Sequence, residues 1–441
     1  MSNTFGVLRS LTGMTRPVAA RQGAAAMRAL LTVPLLTSLV ACGAVGGAGP
    51  TASASASSAT RPASTAIPTP APITTAASPA TAAAPTTTSS STSTTIPMAC
   101  SNGGVLATWS TTSLAEQTVV VPVSERDVAS VTAEVVAGAG GVILFGASAP
   151  ANLGADLRSL AAVAPNRVAP FVMTDEEGGD VQRMANLVGS LPSAREMGAT
   201  MTPAQIRRLA TGLARRLRAA GVTMDLSPVL DVDGGQGPND RDPDGTRSFS
   251  ADQTIAAADG LAFVAGLQDG GIVAVVKHFP GLGGATANTD VARASTLPWS
   301  TLSRVGLVPF EDAVEARAPA VMIANASVPG LTTLPASISP AVITAVLRDQ
   351  LEYQGLVITD SLSATALSSS GYSVPHAVVA AIAAGADMVL YTAGPATVAA
   401  LTNQTVSAVV SAVDSGRLDR SRLVSAVTHI LAAKGVDLCA G

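Results

Sequence analysis

Residues 271–283 read GIVAVVKHFPGLG, an apolar run typical of a strand that ends in a lysine, a histidine and a glycine-rich loop. A cation and an imidazole are costly to bury unless other groups pair with them. An α/β barrel carries its ligand-binding residues at such a position, where a strand gives way to a loop. We therefore interpret Lys277 and His278 as ligand-contacting residues. The alternative for His278 is a histidine whose polar atoms are satisfied inside the core.

Seven more short apolar runs resemble this one, at 118–123, 141–145, 170–173, 222–230, 320–324, 356–359 and 387–390. Most lack alternation of polar and apolar residues, which is typical of strands covered on both faces. Stretches with helical patterns lie between them, at 127–137, 204–220, 255–268 and 340–351. This rhythm predicts an α/β fold, a single (β/α)8 barrel of the TIM type. An open, doubly wound sheet is the alternative.

Polar residues follow five of these runs at their carboxyl ends: Asp175, Asp231, the Lys277–His278 pair, Asn325 and Asp360. In a barrel these ends share one face, so residues far apart in sequence are expected to form one site.

The first part of the chain differs in composition from the rest. Residues 1–41 contain four arginines, no acidic residue and an apolar run that ends just before Cys42. This pattern predicts a signal peptide with a lipobox, in which Cys42 is lipidated and anchors the protein to the outside of the membrane. A plain secretory signal is the alternative.

Residues 42–98 form the second predicted segment. Beyond Cys42 this segment has no aromatic residue and one charge, Arg61, in a tract of Ala, Ser, Thr and Pro. Such a composition predicts a disordered linker, because it cannot bury enough apolar surface to fold. Residues 99–441 are the predicted barrel domain.

The two remaining cysteines, Cys100 and Cys439, lie at opposite ends of that domain. We expect them to form a disulfide in an oxidising compartment, with two free thiols as the alternative. No CxxC or HxxxH spacing is present, so neither a metal site nor a cofactor is predicted. The net charge of −4 and the lack of a basic run argue against nucleic acid as a partner. We expect a monomer.

Five stretches in order resemble the signatures of family-three glycoside hydrolases, and most closely the single-domain bacterial β-N-acetylhexosaminidases. They are 175–183 (DEEGGDVQR), 225–231 (DLSPVLD), 246–249 (TRSF), 277–281 (KHFPG) and 357–362 (VITDSL). The resemblance extends over about residues 113–395. It implies a (β/α)8 barrel and a retaining mechanism without a metal.

By the same resemblance, Asp360 is the nucleophile. Capping of the next helix is the alternative for this residue. Residues that match the family's sugar-contacting positions are Asp175, Arg183, Arg247, Lys277 and His278. For the two arginines, a structural ion pair is the alternative. Gly178 and Gly179 are expected to let the backbone approach the ligand closely, and Asp231 is expected to brace the basic cluster.

The resemblance fails at the acid/base residue. The hexosaminidase branch carries an Asp-x-His pair in the loop after the KHFP motif, and those positions are Asn288 and Asp290 here. Three hypotheses remain open. Asp290 acts as the acid/base; or Asp240, Asp242 or Asp244 does; or no acid exists and the protein binds a glycan without hydrolysing it.

The sequence thus predicts an extracytoplasmic retaining β-glycosidase that acts on terminal β-linked sugars, either β-N-acetylhexosaminidase-like or β-glucosidase-like, in cell-wall turnover. The alternative function is a carbohydrate-binding lipoprotein with little or no activity.

Overall fold

The structure is a computed structural model that describes residues 100–440. The predicted signal peptide, Cys42 and the predicted linker lie outside these residues. Cys100 and Cys439 are joined by a disulfide, with their Cα atoms 5.8 Å apart. Within residues 100–440, no helix combines the length and the apolar character needed to cross a membrane.

Eight parallel strands form a barrel in the described part of the chain, in the order β10-β1-β2-β3-β6-β7-β8-β9. They are β1 (Val119–Ser124), β2 (Gly141–Phe145), β3 (Phe171–Thr174), β6 (Met224–Asp225), β7 (Val273–Phe279), β8 (Ala320–Ile323), β9 (Leu356–Thr359) and β10 (Val389–Leu390). A parallel bridge between Ile358 and Met388 closes the ring between the last two strands. The predicted (β/α)8 barrel is therefore confirmed, and the open sheet is excluded.

An antiparallel hairpin of β4 (Glu176–Gly178) and β5 (Val181–Gln182) follows β3. The α-helices are Asn102–Leu106, Thr111–Gln117, Thr132–Ala137, Leu153–Ala162, Ala185–Val188, Ala194–Thr200, Pro203–Ala219, Gln253–Asp269, Trp299–Leu302, Val308–Glu315, Thr365–Ser368, Val374–Ala384, Val398–Asp414 and Arg420–Lys434. Short 3-10 helices span Val128–Val131, Pro165–Arg167, Gly245–Arg247 and Ala336–Ile338, and a π-helix spans Ala341–Gln350.

Helix Pro203–Ala219 illustrates how the outer layer forms. Thr202 and Gln205 make a capping box that satisfies the first backbone N–H groups. Ile206, Leu213 and Leu217 are buried on one face, at the spacing of an amphipathic helix. That face fixes the helix in the layer that surrounds the strands.

Two apolar layers result. The larger lies between the strands and the helices. The smaller fills the inside of the barrel and includes four methionines, Met173, Met224, Met322 and Met388. Methionine adapts to irregular space, which suits a barrel interior filled from strands of unequal length.

The bounds predicted for the fourth strand, 222–230, are wrong. Only Met224–Asp225 joins the ladder there, and Val229 makes one isolated bridge to Lys277. Pro228 interrupts the run because proline has no N–H to donate. The segment still runs beside β7, because Pro228 O accepts from Lys277 N at 3.2 Å and Leu230 N donates to Lys277 O at 2.7 Å.

Candidate active site

The carboxyl ends of the strands surround a cavity of about 490 Å³. All seven residues predicted to be catalytic or sugar-binding line it, namely Asp175, Arg183, Arg247, Lys277, His278, Asp290 and Asp360. Barrel topology explains the convergence, since these residues lie at or beyond the carboxyl ends of β3, β6, β7 and β9, which share one face.

Lys277 is the central cation of the cavity. Its Nζ lies 3.0 Å from Asp175 Oδ1 and 2.6 Å from Glu177 Oε1, and its side chain is only 3% exposed. The register of β7 against β8 slips between Val276 and Phe279. Lys277 and His278 both line the cavity, although they are adjacent in the strand.

Glu177 is a site residue that the sequence analysis missed. Its two oxygens accept hydrogen bonds of 2.8 Å from Arg247 Nε and Nη2. Burial alone would raise the pKa of Glu177, but the charges of Arg247 and Lys277 hold that pKa well below its usual range. The sequence did contain a signal for Glu177, because residues 175 and 177 point to the same side of an extended chain.

Arg183 contacts Asp175 from the other side. Its Nη2 lies 3.5 Å from Asp175 Oδ2, and its guanidinium stacks over the ring of Phe145. Arg183 and Arg247 thus both form ion pairs, and both line the cavity. The two interpretations of these arginines, ion pairing and proximity to a ligand, are compatible.

His278 is held by Asp231, whose Oδ2 lies 2.7 Å from Nδ1 and also accepts from the His278 backbone N–H. Asp231 Oδ1 accepts from Leu282 N at 2.6 Å. Burial, and then the charge of Arg247, lower the pKa of His278 to about 4. The imidazole is therefore neutral at pH 7. Asp231, which was expected to brace the basic cluster, bonds His278 but neither Lys277 nor Arg247, and it is fully buried.

Asp360 follows β9 and enters the cavity from one wall. Its Oδ1 accepts from Ser361 N at 2.6 Å, and the Ser361 carbonyl accepts from Asn325 Nδ2 at 2.7 Å. The next helix begins at Thr365 with Ala364 as its N-cap, so Asp360 does not cap it. Burial raises the pKa of Asp360, with a smaller contribution from the charge of Asp290.

Asp290 lies on the loop that faces Asp360. The loop is docked on the segment after β9, because Thr365 N donates to Asp290 O at 3.2 Å and Ala366 N donates to Thr289 O at 3.0 Å. The residue is exposed at the cavity rim. Partial desolvation of its carboxyl raises the pKa of Asp290.

The other carboxylates proposed as acid/base have different surroundings. Asp242 accepts from Gly237 N at 2.6 Å and Gly245 N at 3.0 Å, which holds its own loop together. Asp240 is exposed, and Asp244 is fully buried. None of the three lines the cavity. Among the described residues, the carboxylates that do are Asp175, Glu177, Asp290 and Asp360.

Gly178 and Gly179 do not bring the backbone close to a ligand, as was expected. Gly178 has φ +94°, and a Cβ there would lie 2.2 Å from Pro192 O. Gly179 N donates to Leu191 O at 3.1 Å. These glycines therefore let the β4–β5 hairpin pack against the following loop, which leaves no room there for a ligand.

The remaining two histidines lie away from this cavity. His429 Nδ1 is 3.0 Å from Asp387, at the opposite end of the barrel, where the last strand begins. His376 lines a separate groove with Ser373 and Gln404. Neither is available as a proton donor at the site.

A closed parallel barrel whose C-terminal rim combines paired carboxylates with buried, hydrogen-bonding cations has the layout of an enzyme that acts on a polyhydroxylated substrate. The family described as "Glycosyl hydrolase family 3 N terminal domain" matches residues 115–433. The chain belongs to this family. It is a glycoside hydrolase of the β-glycosidase type that acts on O-glycosyl bonds, and its substrate is a carbohydrate.

Several relatives share both sequence and fold. The β-hexosaminidase LpqI of Mycobacterium tuberculosis is 34% identical over 354 residues, which cover 77% of this chain and 87% of the relative. The structure of a family 3 member from Mycobacterium smegmatis matches with a TM-score of 0.67 at 34% identity, over 75% of this chain and 99% of that one. A β-N-acetylhexosaminidase from Beutenbergia cavernae matches with a TM-score of 0.66 at 30% identity, over 74% of this chain and 99% of that one.

Proposed function

We propose that the protein is an extracytoplasmic retaining β-glycosidase that removes terminal β-linked sugars, with Asp360 as nucleophile and Asp290 as acid/base. One observation carries the assignment. Of the four carboxylates that line the cavity, Asp175 and Glu177 are bonded to Lys277 and to an arginine each. Asp290 and Asp360 form no salt bridge within residues 100–440, so they are free for chemistry.

In this mechanism Asp360 attacks the anomeric carbon while the glycosidic oxygen departs with the proton of Asp290. The product of this step is a glycosyl-enzyme ester. Asp290, now charged, removes a proton from water, which attacks the same carbon and releases Asp360. Backbone hydrogen bonds from Thr365 and Ala366 hold the Asp290 loop against the segment that follows Asp360.

The sugar would be held by the residues around Lys277. Asp175 can accept from sugar hydroxyls, whereas Arg183, Arg247 and Lys277 can donate to them. Neutral His278, with Nδ1–H directed at Asp231, can accept from a sugar hydroxyl with its free Nε2. Because these groups are already fixed to one another by ion pairs and by Asp231, the pocket is preorganised for a polar ring.

The substrate class we propose is a terminal N-acetylhexosamine or a related β-linked sugar of the cell wall. The names of the relatives support this choice. The pattern of residues 1–41 and Cys42 supports a lipid anchor on the outer face of the membrane. We propose that the barrel works there as a monomer.

The decisive experiment is to trap the glycosyl-enzyme. An activated fluoro-glycoside of the N-acetylglucosamine type should add one sugar mass to the peptide that contains Asp360. Asp360→Asn, which preserves shape, should take up no label, and Asp175→Asn should still be labelled at Asp360, although more slowly. Label on another residue would refute the assignment, and binding without turnover of any aryl β-glycoside would favour the carbohydrate-binding alternative.

A further inference from the structure

A second cluster of potential ligands lies beneath the sugar cavity and shares His278 with it. It consists of Asp231, Asp244 and His278, whose ligand atoms all lie within 4.8 Å of one another. His278 Nδ1 is 2.7 Å from Asp231 Oδ2 and 4.0 Å from Asp244 Oδ1. Both aspartates have no exposed surface, and His278 is 5% exposed.

Asp244 is the unusual member of this cluster. Both of its oxygens are buried, and neither accepts a hydrogen bond from any group in residues 100–440. Buried carboxylates are costly to leave unpaired and are nearly always bonded. Its neighbour Asp231 meets this requirement through donors from His278 and Leu282. Asp244 therefore needs a partner that the chain does not provide.

The nearby cations do not fill this gap. The guanidinium of Arg247 donates to Glu177 and to Pro243 O, and Lys277 is bonded to Asp175 and Glu177. Asp233 adds a further negative charge to the surroundings of the cluster. A cation between Asp231 and Asp244 would give the two Asp244 oxygens the partner that they lack.

We propose that Asp231, Asp244 and His278 form a binding site for one divalent transition-metal cation, of which Zn²⁺ is the best match. One imidazole nitrogen and two carboxylate oxygens are a ligand set that suits Zn²⁺. Ligands that lie about 2.0–2.2 Å from such a cation are at most about 4.4 Å apart. The observed spread of 4.8 Å requires only a small inward movement.

The spacing of these residues in the sequence gives no hint of the site. Asp231 follows β6, Asp244 precedes the 3-10 helix Gly245–Arg247, and His278 is in β7. The three ligands come from separate segments, so no short motif contains two of them.

The site has a consequence for the sugar cavity. A cation on Nδ1 of His278 displaces the hydrogen bond from that nitrogen to Asp231, and the ring proton then resides on Nε2. His278, which lines the cavity, becomes fixed as a hydrogen-bond donor. Metal binding itself does not depend on which carboxylate is the nucleophile, so it can be tested separately from the proposed function.

The test is calorimetric titration of Zn²⁺ into the full chain after removal of metal with a chelator. The wild type should bind one Zn²⁺. Asp244→Asn should weaken binding by at least about 10- to 100-fold, which is the loss typical of changing even an indirect partner of a metal ligand. Asp290→Asn is the matched control, since it removes a carboxylate from the rim of the same cavity and should leave binding unchanged.

A second measurement needs no variant in the cluster. The chain has three histidines, so the ring nitrogens of His278 can be assigned by NMR with the help of His376→Gln and His429→Gln. One equivalent of Zn²⁺ should shift the ring-nitrogen resonances of His278 and leave those of His376 and His429 unchanged. The proposal is overturned if the wild type takes up no Zn²⁺, if Asp244→Asn binds as tightly, if Asp290→Asn abolishes binding, or if another histidine responds.

Discussion

Arg247 and Glu177 are joined by two parallel hydrogen bonds of 2.8 Å inside the cavity, where the Glu177 side chain is 3% exposed. This pair is part of the wall that also contains Lys277. Its geometry resembles that of Arg207 and Asp269 on the surface, where the two bonds measure 2.7 and 2.9 Å. The same bidentate contact is therefore present in a buried and in an exposed setting within residues 100–440.

Glu177→Gln should lower the free energy of unfolding by about 3–5 kcal/mol, because it removes the salt-bridge partner of Arg247 and leaves Lys277 with Asp175 alone. It should also weaken binding of a glycoside ligand. Urea unfolding and calorimetry measure the two effects. Asp269→Asn is the control and should change unfolding little, since solvent screens the exposed pair. Equal effects of the two substitutions would contradict the assigned role of Glu177.

Asp290→Ala tests the acid/base assignment through the leaving group. Hydrolysis of aryl β-glycosides with poor leaving groups should slow by about 10²- to 10⁴-fold, whereas those with good leaving groups should form the glycosyl-enzyme almost normally. Azide should then restore turnover by taking the place of the activated water. Asp240→Ala, an exposed carboxylate on a neighbouring loop, should leave both substrates unaffected. Similar losses of hydrolysis rate for good and poor leaving groups would exclude Asp290 as the acid/base.

The pH profile of kcat/KM provides an independent test. The active form has one charged and one protonated carboxyl, so the wild type should give a bell-shaped profile. Burial raises the pKa of both Asp290 and Asp360 above the usual 3.8, and repulsion between them separates the two proton losses.

In Asp290→Asn the second proton loss, that of the acid/base carboxyl, cannot occur. On an activated aryl glycoside the alkaline limb should therefore disappear while the acidic limb remains. A wild-type alkaline limb preserved in Asp290→Asn would show that another group supplies the proton.

Glu116, which lies outside the sugar cavity, should make the stability of the protein depend on pH. Burial, and then the charge of Glu134, raise its pKa to about 7 from 4.5. The folded state therefore favours the protonated carboxyl. The stability that this contributes is complete below about pH 4.5 and is lost as the pH rises through 7, by about 3 kcal/mol in total.

Glu116→Gln should remove this dependence and make the protein more stable than the wild type at pH 8 but not at pH 4. Urea unfolding at the two pH values measures the difference. Glu315→Gln, at an exposed position, should follow the wild type at both. A wild-type pH dependence in Glu116→Gln would assign the effect to another group.

The sequence predicted the barrel well because its strands are covered on both faces and therefore appear as uninterrupted apolar runs. It also predicted most of the residues that meet at the cavity, since the ends of parallel strands share one face, but Asp231 and Asn325 do not line it. Glu177 escaped notice because its importance depends on Arg247, 70 residues away. Asp244 was considered only as a candidate acid/base, because only the fold of its loop brings it beneath His278. The roles of Gly178 and Gly179 were misjudged, since nothing local indicated that Pro192 occupies the space beside them.

The disulfide between Cys100 and Cys439 links residues 339 positions apart. Asn102 adds two hydrogen bonds across the same junction, to Val436 O and from Leu438 N. A force applied to the chain before Cys100 therefore acts on a covalent link between both ends of the barrel. Because the disulfide transmits this force, the first helix does not detach from the barrel. A protein pulled from its amino-terminal side can thus bear tension without losing the order of its last strand and helix.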